Sequence, residues 1–363
     1  MYLYAIAWHT APSIKDKNMK KLPLAMTAIA AALVWNVAQA QSPQPPKADA
    51  DMQKVLDAHA SLNPKPIETL TPAEARKQPT PADAVKKVLT QMGKSTAPEP
   101  GVTMKTTSVP VKGGSVPVHI FTPEGKGPFP VMVYYHGGGF VIADTKVYES
   151  SPRALAKMAK AIMVSVDYRQ APEHPFPTAA EDAYAAYLWV TQHAKEFNGD
   201  PMRVAVGGES AGGNLATVVS LMARDNKAQL PVHQLLVYPV VNDDMNNESY
   251  KRNANAKPLN KAMMGWFFKH YKGDPKSPYA LPMKATTLKG LPPATIVAAE
   301  IDPLLTEGKG YADKLKKDGV QVDYRAWNGV THEFFGMGAV VPKAKEAEQY
   351  AADALSKAFA AKK

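Results

Sequence analysis

The segment Val204-Ala-Val-Gly-Gly-Glu-Ser-Ala-Gly-Gly-Asn-Leu215 decides the fold. Val204 to Val206 is a short apolar run that reads as a buried strand. The small residues from Ala211, followed by Leu215, Val218, Val219 and Leu221, read as a helix. Between them stands Gly208-Glu209-Ser210-Ala211-Gly212, a G-x-S-x-G match. Such a strand-to-helix turn holds its serine in a strained conformation with the hydroxyl exposed, and glycines flank it because side chains there would strike strand and helix. The free N–H groups of the helix start lie beside the hydroxyl and favour developing negative charge. Ser210 is therefore the candidate nucleophile. A serine in such a turn also serves as an ordinary helix cap, so the assignment depends on partners elsewhere in the chain.

The chain of 363 residues suits one large α/β domain with a generous core, and 45% hydrophobic with 21% charged residues fits a soluble globular protein. It has no cysteine, which excludes disulfides, thiolate metal sites and cysteine nucleophiles. The formal charge is +10, but the lysines are scattered without a basic run interleaved with aromatics. A nucleic-acid partner is not expected.

The N-terminus reads as an address. Met19-Lys20-Lys21 opens a short positive region, Leu22 to Val37 is nearly uninterrupted apolar sequence, and Ala38-Gln39-Ala40 is an A-x-A cleavage signal. This is the layout of a secretory signal peptide over residues 1–40, cleaved after Ala40, with residues 1–18 an over-extended start. The expectation is a periplasmic or secreted mature protein without an integral membrane span. Residues 41–50 are Pro-rich and polar, a linker, and residues 51–363 form one α/β domain.

Helical patterns precede every strand. Met52, Val55, Leu56 and His59 share a face, Thr71-Pro-Ala-Glu74 is a capping box, and Pro81 to Leu89 is amphipathic. These cap helices span about 51–92. Strands follow at Val102 to Val109, Val116 to Phe121, Phe129 to Tyr135, Ala161 to Val166, Val204 to Val206, Val232 to Tyr238, Ala294 to Ala299 and Val320 to Trp327. Lys112-Gly-Gly-Ser115 marks a hairpin between the first two. Helices are expected at Thr178 to His193, Leu259 to Tyr271, Lys309 to Lys317 and about Lys343 to Phe359. Asn242 to Lys257 reads as a polar loop that, with the Met-, Trp- and Phe-rich helix after it, makes a second cap insertion at about 242–272. Strands alternating with helices imply a mostly parallel sheet covered on both faces, mixed by its initial hairpin.

His136-Gly137-Gly138-Gly139-Phe140 follows directly on an apolar strand. Three glycines there let backbone N–H groups point into a site as an oxyanion hole, joined by the N–H of Ala211. A phosphate loop is the weaker reading, since no Gly-Lys-Ser/Thr follows. His332, in Gly329-Val-Thr-His-Glu-Phe-Phe-Gly336, lies after the last strand, and Asp302 lies just after Ala294 to Ala299. Both stand at strand C-terminal ends, where open α/β sheets bind ligands. The order Ser210, Asp302, His332 is that of an α/β-hydrolase triad, with His332 as general base and Asp302 fixing its tautomer. Glu300 and Glu333 are rival acids. Glu300 falls on the strand, and Glu333 is badly placed to reach Nδ1 of its neighbour. His174 is read as a loop-bracing residue, and Phe140 and Trp266 as pocket walls.

With His136-Gly-Gly-Gly139, Asp167-Tyr-Arg169, Ala171-Pro-Glu-His-Pro-Phe-Pro177, Gly208-Glu-Ser-Ala-Gly-Gly213, Asp302-Pro-Leu304 and His332 in place, the chain resembles the bacterial hormone-sensitive-lipase-like branch of the α/β-hydrolase esterases. The resemblance runs from about Asp51 to the C-terminus. It implies an eight-stranded sheet with a helical cap, no metal or other cofactor, and cleavage of small-molecule carboxylic esters with short to medium acyl chains. It also implies that Gly138, Gly139 and Ala211 donate the oxyanion N–H groups while His136 and Gly137 support the loop. Glu209 departs from the branch, which more often has Asp or Thr before the serine. Hydrolysis of acetylated sugars, lactones or polymer-derived esters uses the same machinery. A non-catalytic receptor on this fold is disfavoured by the presence of every catalytic residue.

Overall fold

The structure, a computed structural model, describes residues 46–361. The expected signal peptide at 1–40 and the first half of the linker lie outside the described residues. Three helices open the described chain: α1 (Ala50–Ala60), α2 (Pro72–Ala75) and α3 (Pro81–Gln91), with a 3-10 turn at Ile67–Thr69 before α2. Thr71 with Glu74, and Thr80 with Asp83, form complete capping boxes, each with proline at the first helical position.

Eight strands make one sheet: β1 (Val102–Val111), β2 (Gly114–Pro123), β3 (Phe129–Tyr135), β4 (Ile162–Val166), β5 (Gly199–Glu209), β6 (Gln234–Val237), β7 (Ala294–Ile301) and β8 (Val322–Thr331). Their spatial order is β1-β2-β4-β3-β5-β6-β7-β8. β2 runs antiparallel to both its neighbours, and every other pairing is parallel. The central strands are buried on both faces, β4 without exception, as a doubly covered parallel sheet requires.

Between β3 and β4 lie α4 (Thr145–Tyr148) and α5 (Ser150–Ala159), and between β4 and β5 lies α6 (Thr178–His193). α7 (Ala211–Asp225) follows β5, α8 (Glu248–Arg252) and α9 (Lys261–Tyr271) follow β6, α10 (Leu305–Lys317) follows β7, and α11 (Pro342–Ala360) closes the fold. α4, α5 and α8 have no counterpart in the sequence reading, and α10 begins four residues earlier than its Lys-rich pattern suggests. α8 starts where the Asn247 side chain accepts the Tyr250 N–H, a local cap inside a polar segment read as loop.

The N-terminal helices divide between two packing clusters. Met52, Val55 and Ala58 of α1 and Ala84 and Val88 of α3 are buried with Trp327, Val330 and Phe334 in the body of the protein. Ile67 and Ala75 instead share a cluster with Met264, Trp266 and Phe267 of α9, and Trp266 donates its indole N–H to the Leu70 carbonyl at 3.1 Å. The Ile67–Ala75 stretch therefore packs with α9 of the segment after β6, while α1 and α3 pack on the sheet side. The linker also ends in a docked residue: Asp49 donates its N–H to the Gly329 carbonyl at 2.8 Å and pairs with Lys343.

Candidate active site

β5 runs straight into Ser210, which adopts φ 56° and ψ −115°, and α7 starts at the next residue. A non-glycine residue in that region is strained and persists only where surrounding structure dictates it. Here a Cβ on Gly212 would strike the Tyr135 carbonyl oxygen, as would one on Gly208, so the turn closes against the end of β3 only with glycine at both positions. The Ser210 N–H is bound by the Val237 carbonyl at 2.9 Å, and the Ser210 carbonyl accepts from Asn214 and Val240. One turn into α7, the buried Asn214 amide donates to the Val240 and Ala280 carbonyls at 2.8 and 2.9 Å, tying the helix start to the chain just before α8 and just after α9.

Asp302 follows β7. Its Oδ1 accepts the Leu304 N–H at 2.8 Å, and Asn253, just past α8, donates to its carbonyl at 3.0 Å. His332 follows β8. Its Nδ1 lies 2.7 Å from Asp302 Oδ2 and its Nε2 lies 3.0 Å from Ser210 Oγ. A carboxylate only accepts, so Nδ1 carries the proton and Nε2 presents a lone pair to the serine hydroxyl. Ser210 is 5% exposed, Asp302 0% and His332 1%, so all three lie out of bulk water. Burial on its own pushes the His332 pKa down, but the charge of Asp302 and its hydrogen bond outweigh burial and hold the imidazole above its ordinary value.

The glycine loop leaves β3 with Gly138 at φ 97°, Gly139 at φ 60° and Phe140 at φ 64°. Gly138 accepts the N–H groups of Val141 and Ile142 at 3.0 Å, which curls the loop back. Among the described residues, neither the Gly138 nor the Gly139 N–H has a protein acceptor. His136 is stacked on Tyr168 with ring centres 4.4 Å apart and donates from Nδ1 to the Gly137 carbonyl at 2.7 Å, while burial lowers its pKa. Gly137 packs under the Tyr148 hydroxyl.

Phe140 is stacked on Tyr271 at 3.8 Å, and Trp266 is bound to Leu70, so both named pocket walls have packing partners of their own. The ring that meets the glycine loop is Phe267, which occupies the space a Cβ on Gly139 would need. Glu300, on β7, accepts the Gly329 N–H at 2.8 Å and never approaches the imidazole. His174 lines an open cleft of about 460 Å³ with His136, Arg76, Asp144, Asp167, Gln170 and Glu173. The acids of that cleft are engaged in the fold: Asp144 caps α4, Asp167 accepts from Thr145, and Glu173 pairs with Arg76.

Sequence reasoning missed a buried polar network beside the relay. Glu209 is fully buried and accepts the hydroxyls of Tyr134 and of Tyr238, the latter at 2.5 Å. The Tyr238 ring lies 4.3 Å from the His332 ring. Burial, reinforced by the nearby Glu333 charge, pushes the Glu209 pKa up to about 8. Among the described residues no group of His, Asp and Glu could hold a metal ion.

The comparisons with known proteins agree with this geometry. A protein family described by its alpha/beta hydrolase fold matches residues 132–336, more than half of the chain. Carboxylic ester hydrolase LipN of Mycobacterium tuberculosis (strain ATCC 25618 / H37Rv) is 40% identical over 249 residues, covering 66% of this chain and 66% of LipN, about two thirds of its length. Carboxylesterase NlhH of the same strain is 39% identical over 251 residues, covering 67% of this chain and 79% of NlhH. Among solved structures, a thermostable esterase from Pseudomonas putida ECU1011 superposes with a TM-score of 0.79 at 35% identity, covering 88% of this chain and 100% of that one. A serine at a strained strand-to-helix turn, a histidine and an aspartate brought to it from two later strand ends, and this breadth of likeness place the chain in the α/β-hydrolase family, in its hormone-sensitive-lipase-like esterase branch.

Proposed function

We propose that the protein is a serine carboxylesterase that works through an acyl-enzyme. One observation carries the reading: the unbroken line from Ser210 Oγ to His332 Nε2 at 3.0 Å and from His332 Nδ1 to Asp302 at 2.7 Å, in a chain whose Gly138 and Gly139 N–H groups have no protein acceptor among the described residues. Ser210 Oγ attacks the ester carbonyl and gives its proton to His332 Nε2. The N–H groups of Gly138, Gly139 and Ala211 receive the oxyanion. The intermediate collapses, and Nε2 returns the proton to the leaving alcohol. Water then attacks the acyl-enzyme with His332 again as base, and the acid leaves with Ser210 regenerated. Asp302 keeps the tautomer that this cycle needs and stabilises the imidazolium. The substrates are esters with short to medium acyl chains, consistent with the Phe267 ring pressed against the loop.

The test is hydrolysis of p-nitrophenyl esters from acetate to palmitate, beside Ser210→Ala. Wild type turns over the short esters, and the variant loses several powers of ten in kcat, leaving only residual catalysis. A folded wild type inert on every ester sinks the general-esterase reading and turns attention to narrow substrates such as acetylated sugars or lactones. The enzyme is also exported: Met19-Lys20-Lys21, the apolar run and Ala38-Gln39-Ala40 support cleavage after Ala40 into a periplasmic or secreted form. Mass spectrometry of the exported protein checks this, and an intact N-terminus refutes it.

A further inference from the structure

Asp302 is not the only carboxylate on the imidazole. Glu333 follows His332 with φ 69°, a left-handed backbone that a glutamate enters only against its preference. That turn sends its side chain back into the site. Oε1 lies 3.7 Å from His332 Nε2, the atom that carries the proton in flight. Both carboxylate oxygens accept from the Tyr148 hydroxyl, at 2.7 and 2.8 Å, and that hydroxyl lies against Gly137 of the oxyanion loop. Tyr148 thus holds Glu333 close to Nε2, yet far enough not to displace the serine from it.

We propose, resting on the esterase reading, that Glu333 is a further positioning residue, a second carboxylate that stabilises the His332 imidazolium from its Nε2 edge and couples it through Tyr148 to the oxyanion loop. The step balances without a new reactant. The Ser210 proton passes to Nε2 as the Oγ–C bond forms and the carbonyl electron pair moves to oxygen, and the same proton leaves with the alcohol. Glu333 takes no proton, and its charge offsets that of the ring.

The groups around His332 are consistent with this. Asp302 faces Nδ1, Glu333 faces Nε2, and Tyr238 lies along the ring with its hydroxyl on Glu209, which Tyr134 also binds. Burial and the Glu333 charge raise Glu209 to about 8, so at neutral pH it keeps its proton. Burial and the Asp302 charge raise the Glu333 pKa above its ordinary value, while the His332 charge and the Tyr148 bond oppose that rise.

The experiment is the pH profile of kcat/KM for p-nitrophenyl acetate, pH 5 to 9, on the full chain for wild type, Glu333→Gln and Glu333→Gly. Gln keeps the shape and the Tyr148 contact without the charge. Gly removes the side chain at a backbone angle it prefers, so at least one uncharged variant folds. The expected result is an acid limb about one pH unit lower in both, because a weaker base stays neutral to lower pH, with a plateau roughly three- to tenfold down. An acid limb that stays at the wild-type position overturns the proposal, whether the plateau falls, as for a purely structural role, or holds. A wild type without esterase activity is a different failure, that of the esterase reading itself, and the Ser210→Ala control identifies it.

Discussion

Glu209 ties stability to pH, and the effect can be worked out from its surroundings. It is a carboxyl group at 0% exposure between two tyrosines, and burial first and the Glu333 charge second push its pKa from an unfolded value of 4.5 to about 8. Between those values the folded state holds a proton that the unfolded state has released, so stability falls as pH rises through this window. Below the lower value both states are protonated and nothing is lost. Above the upper value both are ionised, and the full penalty of a buried carboxylate is felt. Each unit of pKa difference is worth about 1.4 kcal/mol, and integration from pH 5 to pH 9 gives a loss of about 4 kcal/mol from this residue. Glu307, also raised to about 8 by burial, and Glu348, raised to about 7 by burial, add to the slope in the same direction. The informative quantity is therefore a difference. Urea unfolding of wild type and Glu209→Gln at pH 5, 7 and 9 separates Glu209 from the rest, because glutamine does not ionise and any fixed packing cost cancels. Wild type should lose about 4 kcal/mol more than the variant between pH 5 and pH 9. Parallel curves would show that Glu209 does not carry its proton in the folded protein at neutral pH, and the account of the network around it would fall.

Other substitutions probe the site and its supports. Gly212→Ala forces a methyl group into the Tyr135 carbonyl oxygen, so turnover should be lost along with several degrees of Tm; near-normal activity would mean that the turn is looser than drawn. Asp302→Asn preserves the shape beside His332 but reverses the hydrogen-bond polarity at Nδ1, and kcat should drop by about 10⁴ with Tm little changed. Arg169→Ala strips the partner from Asp182, which is 0% exposed and receives the guanidinium at 2.7 Å, and should cost about 3–5 kcal/mol in urea unfolding. Asn214→Leu leaves the Val240 and Ala280 carbonyls without their donor and should cost about 2–4 kcal/mol by the same measurement.

What could be read from the chain follows the kind of information each feature uses. Strands such as Ile162–Val166 and Phe129–Tyr135 are buried on both faces, so an apolar run is itself the signal. Ser210, Asp302 and His332 were legible because each directly follows a strand, and strand ends are where this architecture gathers its chemistry. The division of the N-terminal helices was not legible. The apolar face of α1 announces burial, but nothing in its spacing says that the partners are Trp327 and Phe334 rather than α9. α8 is too short for a periodic pattern and depends on one asparagine cap. Glu209 was visible as a departure, but its meaning was not. Its tyrosine partners are 75 and 29 residues away, and only the pairing of β3 and β5 and the turn after β6 bring them together.

The position of those tyrosines follows from a problem of distance. Ser210 follows β5 and His332 follows β8, and in the sheet order two strands, β6 and β7, lie between. Three inter-strand steps of about 4.8 Å separate their strand ends by about 14 Å, far more than a hydrogen bond spans. His332 must therefore reach back across the ends of β7 and β6. The register shift between Ala299 and Ile301, paired with Thr331, and the left-handed Gly329 at φ 70° alter the path of β8 just before the histidine. A ring carried that far from its own strand needs a floor. Asp302, just after β7, holds its Nδ1 edge, and the Tyr238 ring, just after β6, packs against it tilted by 46° with centres 4.3 Å apart. Tyr238 can serve as that floor only if its hydroxyl is tied down, and the tie is Glu209, the last residue of β5. The buried acid beside the nucleophile thus belongs to the span that delivers the base: β5 supplies both the serine and the anchor, β6 the floor, β7 the orienting carboxylate and β8 the imidazole.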